Sequence, residues 1–148
     1  MITLPGIFAL ATLTGCSNNQ MSTAPEPTVL NLAGTWNGAM TINGTTGGMT
    51  LALTQTGTAL TGPLIISLSS GVVLLNGTFT GSLTGSSLAG TIAVTPGGIP
   101  VYPSCTGQLS TTMTVTLGTV STLSGPVSLV SSTCNVPFTT STVTLTRS

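Results

Sequence analysis

From Leu32 to the end of the chain, apolar and polar residues alternate with a period of two, which predicts strands buried on one face and wet on the other. A first strand, roughly residues 34–43, puts Trp36, Met40 and Ile42 on one side and Thr35, Asn37 and Thr41 on the other. Asn43-Gly44 and the Thr-Thr-Gly-Gly that follows predict a hairpin turn. The second strand turns Met49, Leu51 and Leu53 inward and Thr50, Thr54 and Thr56 outward. Further inward sets are Leu60, Leu64, Ile66 and Leu68, then Val73, Leu75 and Phe79, then Leu88, Ile92 and Val94. Leu109, Met113, Val115 and Leu117 mark the next strand, and Leu123, Val127 and Leu129 the one after it. In the last strand Val143, Leu145 and Arg147 share one side, and Thr142, Thr144 and Thr146 the other.

Short strands separated by turns, with no helical period, predict an all-β domain over residues 32–148. The expected architecture is a single eight-stranded antiparallel up-and-down barrel; the alternative is a β-sandwich. The barrel is preferred because the connections are short and closure leaves no hydrophobic edge. Gly38, Gly62, Gly77 and Gly90 fall inside strands, where a missing Cβ relieves crowding at bends. Met49-Thr-Leu-Ala-Leu with Leu60-Thr-Gly-Pro-Leu64 is echoed by Met113-Thr-Val-Thr-Leu with Leu123-Ser-Gly-Pro-Val127. A duplicated four-strand half and a restricted Thr/Gly/Leu alphabet both account for that echo.

Ahead of the domain, Ile2 to Leu13 is a largely apolar run, too short to span a bilayer as a helix. It ends in Leu13-Thr14-Gly15-Cys16, which resembles the lipobox of bacterial lipoproteins. The resemblance implies cleavage before Cys16 and a lipid on its sulfur; the plain alternative is a buried cysteine closing a core segment. Met1-Ile2-Thr3 lacks the positive charge that opens a signal peptide, so the true start is expected upstream. Ser17 stands where an aspartate would signal inner-membrane retention in many Gram-negative bacteria, so the resemblance implies the outer membrane there. In a Gram-positive organism it implies the outer face of the plasma membrane. Residues 1–15 are expected to be a signal peptide and residues 16–31 a lipidated tether, polar and carrying Pro25 and Pro27.

Charge then removes whole classes of function. Glu26 is the only acid and Arg147 the only base, and the chain has no Asp, Lys or His. Nucleic acid is excluded because phosphate binding needs clustered cations, and electrostatic attraction to anionic lipid is excluded for the same reason. General acid–base catalysis draws mainly on His, Glu, Asp, Lys, Tyr or Cys, and the domain offers only Tyr102, Cys105 and Cys134. No set of side chains for a zinc, magnesium or calcium site can be assembled. The expectation is a protein that is not an enzyme and carries no metal or cofactor.

With Cys16 lipidated, Cys105 and Cys134 remain as an even pair in an exported protein, which reads as a disulfide, with two free thiols as the alternative. Residues 64–68 and 72–75 are apolar on both faces, leaving Ile65, Val72 and Leu74 pointing outward. Such a patch implies cover by a protein partner, a second copy or the bilayer surface, or by the chain's own tether around Val29 and Leu30. Residues 95–104 (TPGGIPVYPS) form the longest connection, and Ile99 and Tyr102 are its recognition candidates, with an ordinary proline-rich crossover as the alternative.

Gly34-Thr35-Trp36 resembles the start of the first strand in lipocalin and avidin-like (calycin) barrels. In those barrels a basic residue of the last strand often stacks across that tryptophan at the closed end. Carried onto this chain, the resemblance implies that Arg147 meets Trp36; the simpler alternative makes Trp36 a core plug. Two functions compete. One is an envelope lipoprotein whose barrel is filled by its own side chains and works through its exterior. The other is a carrier holding a small apolar ligand inside the barrel, which the resemblance to lipocalins would imply. The large inward Leu, Met, Val and Ile side chains favour the first. A transmembrane barrel would need a lipid-facing apolar band and aromatic girdles, which the threonine face and scarce aromatics do not supply.

Overall fold

The computed structural model describes residues 24–25, 28–42, 44–135 and 140–148. The expected signal peptide, Cys16 and Asn43 lie outside the described residues. Eight strands follow in order: β1 (Gly34–Ile42), β2 (Thr45–Thr56), β3 (Ala59–Ser67), β4 (Val73–Thr84), β5 (Ser87–Val94), β6 (Gly107–Thr116), β7 (Thr122–Ser132) and β8 (Ser141–Arg147). Each pairs antiparallel with the next, and β8 returns to β1 with Trp36 opposite Arg147, so the sheet is a closed up-and-down barrel and not a sandwich.

Alternation within each strand sorts the side chains. Threonines such as Thr50, Thr78, Thr80, Thr112 and Thr144 cover the outside. Trp36, Met40, Met49, Leu51, Leu64, Ile66, Phe79, Leu88, Ile92 and Met113 fill the inside, each essentially inaccessible to water. The lumen is therefore a packed core. The Phe79 ring covers the Cα positions of Gly81 and Gly90, where a Cβ would lie only 2.6 Å from its Cζ. Thr111 is the one buried polar side chain among the described residues. Its hydroxyl donates to the Pro126 carbonyl at 2.8 Å, in a place where the β6–β7 ladder is interrupted.

That interruption has a twin. Between β2 and β3 the paired registers Leu51 with Leu64 and Thr54 with Thr61 bracket a gap at Gly62-Pro63. Between β6 and β7, Thr111 with Val127 and Thr114 with Ser124 bracket a gap at Gly125-Pro126. Proline has no N–H to give a ladder, so in a barrel without edges it forces a break. The Gly-Pro halves of the sequence echo thus occupy equivalent places. The methionines do not: by register Met113 faces Gly125 as Leu53, not Met49, faces Gly62.

Several expected positions shift. The first turn is tighter than the sequence suggests, since Ile42 pairs with Thr45 and the Thr-Thr-Gly-Gly run extends β2. Leu117 follows the end of β6 and is exposed, and Leu68 follows the end of β3 in the connecting loop. A bulge sits where Ile66 pairs with Leu75 but Ser67 pairs with Val73. Leu74 is the extra residue, and the bulge turns it onto the core, leaving it half-buried instead of pointing outward. A second shift, with Leu109 opposite Leu129 and Gln108 opposite Ser131, leaves Leu129 and Val130 exposed at the end of β7.

The two ends of the barrel differ. Residues 28–33 enter at one, beside the β2–β3 and β4–β5 hairpins and the β6–β7 turn; we call it the tether end. The β3–β4, β5–β6 and β7–β8 connections meet at the other, the loop end. Leu32 plugs the tether end and is fully buried. Gln55 fixes it there: its Oε1 accepts from Leu32 N at 2.6 Å, and its Nε2 donates to Leu30 O at 2.8 Å. Leu30 packs against the core, so the tether segment that was one alternative cover for the Ile65/Val72 patch binds the opposite end of the barrel.

Candidate functional site at the loop end

The long β5–β6 connection is held as a series of turns. Gly97 N donates to Pro103 O, Gly98 N to Thr95 O, Tyr102 N to Ile99 O and Cys105 N to Tyr102 O, all at 2.7–3.0 Å. Asn76 N donates to Gly98 O at 2.6 Å, which fastens the loop to β4. Gly98 makes that approach feasible, because a Cβ there would lie 2.6 Å from the Asn76 carbonyl oxygen. Ile99 is thereby wedged into the mouth against the core, while Val101 and Tyr102 stay exposed above it.

On the far side of the mouth the loop is joined to the β7–β8 connection. Cys105 and Cys134 are placed as a disulfide, with Cα atoms 5.1 Å apart, inside the range such a bridge requires. Cys105 is buried. Beside it Thr133 N donates to Thr106 O and Thr106 N to Thr133 Oγ1, each at 2.9 Å.

These elements frame two adjoining hollows. One, about 50 Å³, lies toward the lumen between Ile42, Leu75, Val94, Ile99, Leu109 and Leu129. The other, about 180 Å³, is a groove lined by Ile42, Thr45, Leu74, Leu75, Ile99, Val101 and Tyr102. Ile42, Leu75 and Ile99 form the wall between them. The groove brings together Leu74 from one predicted patch and Ile99 and Tyr102 from another, which lie far apart in sequence. Ile65 and Val72 are exposed on β3 and in the β3–β4 loop at the same end, but do not line it. Thr45 and Val101 were not singled out from the sequence. Val101 lay between two residues that were; Thr45 carried no signal, because its place depends on the tight first turn. The lining is apolar except for the Thr45 hydroxyl and the Tyr102 phenol, so the groove can exclude water from an apolar group and offers little else.

Trp36 and Arg147 meet at the other end. Arg147 Cζ lies 5.3 Å from the centroid of the Trp36 ring, within cation–π reach. The indole Nε1 donates to Leu32 O at 2.9 Å, which satisfies its buried polar edge. The guanidinium donates to Asn31 O and to Ala33 O. Gly34, with φ of 132°, turns the chain beneath it in a backbone conformation that residues with a Cβ rarely adopt. Trp36 is thus a core plug and a platform together. Arg147→Ala should lower the unfolding free energy by about 1–2 kcal/mol, from an exposed cation–π contact and two carbonyl bonds. It should also shift Trp36 emission to the red. Unchanged fluorescence together with an unchanged denaturation midpoint would contradict this assignment. Comparison with protein-family models, with curated proteins and with solved structures returns no match for this chain.

Proposed function

We propose that this chain is a cell-envelope lipoprotein, held to a membrane by lipid on Cys16, whose barrel is a non-enzymatic interaction module working through its exterior at the loop end. The observation that carries the reading is a division of labour along the barrel axis. The lumen is taken up by the protein's own side chains, while apolar residues from separate segments converge on a groove at the end opposite the tether. An anchor at Cys16 pulls on the tether end, so the groove projects away from the membrane. A groove of about 180 Å³ is smaller than the roughly 300–1,000 Å³ of pockets that hold a drug-sized ligand. It suits one aliphatic or aromatic side chain of a partner, with Tyr102, Val101, Val72 and Ile65 as the exposed surround. In a Gram-negative organism Ser17 after the anchor assigns the protein to the outer membrane.

A second reading is a carrier of a small apolar ligand, and the apolar lining favours it at the mouth, not in the filled lumen. One preparation separates the two. Denaturing mass spectrometry of the protein from its native envelope should show an N-terminal acylated Cys16, and Cys16→Ser should release the protein from the membrane fraction. A mature chain that keeps Met1 and carries no lipid overturns the anchor. Native mass spectrometry of the same material should show no retained small molecule; a stoichiometric adduct lost on Ile99→Trp would establish the carrier instead.

A further inference from the structure

Exposed aliphatic residues also occur at the tether end, away from the loop-end groove. Val29 is 45% exposed, Leu117 49% and Val120 60%. Val29 belongs to the entering segment, and Leu117 and Val120 to the β6–β7 turn. Arg147 connects the two: its backbone N donates to Ser121 O at 3.1 Å, and its guanidinium donates to the carbonyls of Asn31 and Ala33. Beside them, a groove of about 410 Å³ runs between Thr28–Leu30 and the hairpin tips at Thr58 and Gly85. Among the described residues this surface holds no acid, and the chain's only cation is engaged with an indole face and two carbonyls.

We propose that the tether end is a membrane-apposed face: Val29, Leu117 and Val120 seat in the interfacial layer of the bilayer that holds the lipid on Cys16. This inference rests on the anchored reading above. The occupant is chosen by where the chain leads. Residues 16–27 separate the acylation site from Thr28, and at full extension they reach at most about 40 Å. The anchor therefore favours this end, where the tether enters, with the highest effective concentration over the bilayer. Weak contacts suffice under that restraint, and the three exposed aliphatic side chains Val29, Leu117 and Val120 supply them. The contact is apolar, because one internally satisfied arginine cannot give an electrostatic footprint.

The test uses the full-length, lipidated protein in vesicles of phosphatidylethanolamine and phosphatidylglycerol. Val120→Cys supplies a thiol for an environment-sensitive fluorophore, the other cysteines being acylated or in the disulfide. Thr78→Cys on the barrel wall and Val101→Cys at the loop end serve as references. The expected result is a blue shift and several-fold brighter emission at position 120 only, unchanged by high salt or by phosphatidylcholine vesicles. Leu117→Cys should repeat it, which covers the case in which a label at 120 disturbs its turn. If the protein floats with the vesicles while positions 117 and 120 report water, or if only position 101 shifts, the membrane-apposed face is overturned and the anchor stands. A protein that neither floats nor carries an acyl mass overturns both.

Discussion

Gly62→Ala should destabilise the barrel by about 3 kcal/mol, far more than an alanine normally costs in a strand, and Gly125→Ala should follow it closely. A Cβ built on Gly62 collides with the backbone carbonyl of Ala52, and one on Gly125 with the carbonyl of Thr112. Neither obstacle is a side chain that can swing aside; the strands themselves must part. In an open sheet an edge strand could move away, but here every strand is paired on both sides and displacement spreads round the ring. Pro63 and Pro126 explain why the approach is tolerated natively. Each removes a ladder donor at the point where the neighbouring glycine lets the backbones close up. Gly48→Ala is the control, because a Cβ there meets only Ser67 O at 3.7 Å, an ordinary contact. Urea midpoints should separate Gly62→Ala and Gly125→Ala from Gly48→Ala. Three indistinguishable midpoints would mean that the ladder gaps can open freely.

Much of this fold was legible because threonine and leucine alternate so regularly. Parity alone assigned Trp36, Met49, Leu51, Leu88, Ile92, Val143 and Leu145 to the interior, where the structure has them. Thr111 shows what parity held but polarity concealed. It lies between Leu109 and Met113 on the inward side, yet a hydroxyl argued against burial until the freed Pro126 carbonyl gave it a partner. Bulges were not legible. A single extra residue reverses the parity of everything beyond it, so Leu74 and Leu129 were assigned to the wrong environments, and Val73, expected to face inward, does not join the core. The groove was half legible. Its residues drew attention separately, as an apolar hairpin and a proline-rich loop. Their convergence depends on Gly98 docking against Asn76, a contact that no local pattern announces.

Breaking the Cys105–Cys134 bridge should lower stability by about 3.5 kcal/mol, the chain-entropy value for its sequence separation of 29. Cys105→Ala with Cys134→Ser is the suitable variant, since Cys105 is 4% exposed and a serine there would bury an extra hydroxyl. The loss should be uneven along the barrel axis. The bridge ties the β5–β6 and β7–β8 connections, so its removal leaves the loop held by its own turns, by Asn76 N to Gly98 O and by the Thr106–Thr133 hydrogen bonds. Amide exchange should accelerate at Tyr102 and Cys105, whose N–H groups serve those turns. Ile99 should loosen in the mouth, merging the two hollows it now separates and raising the binding of an apolar dye. Trp36, plugged between Leu32 and Arg147 at the far end, should keep its emission maximum under native conditions. A uniform loss of protection with a shifted Trp36 spectrum would instead mean that the two ends unfold as one unit. The groove would then be an inseparable part of the core, not a surface that the bridge holds in shape.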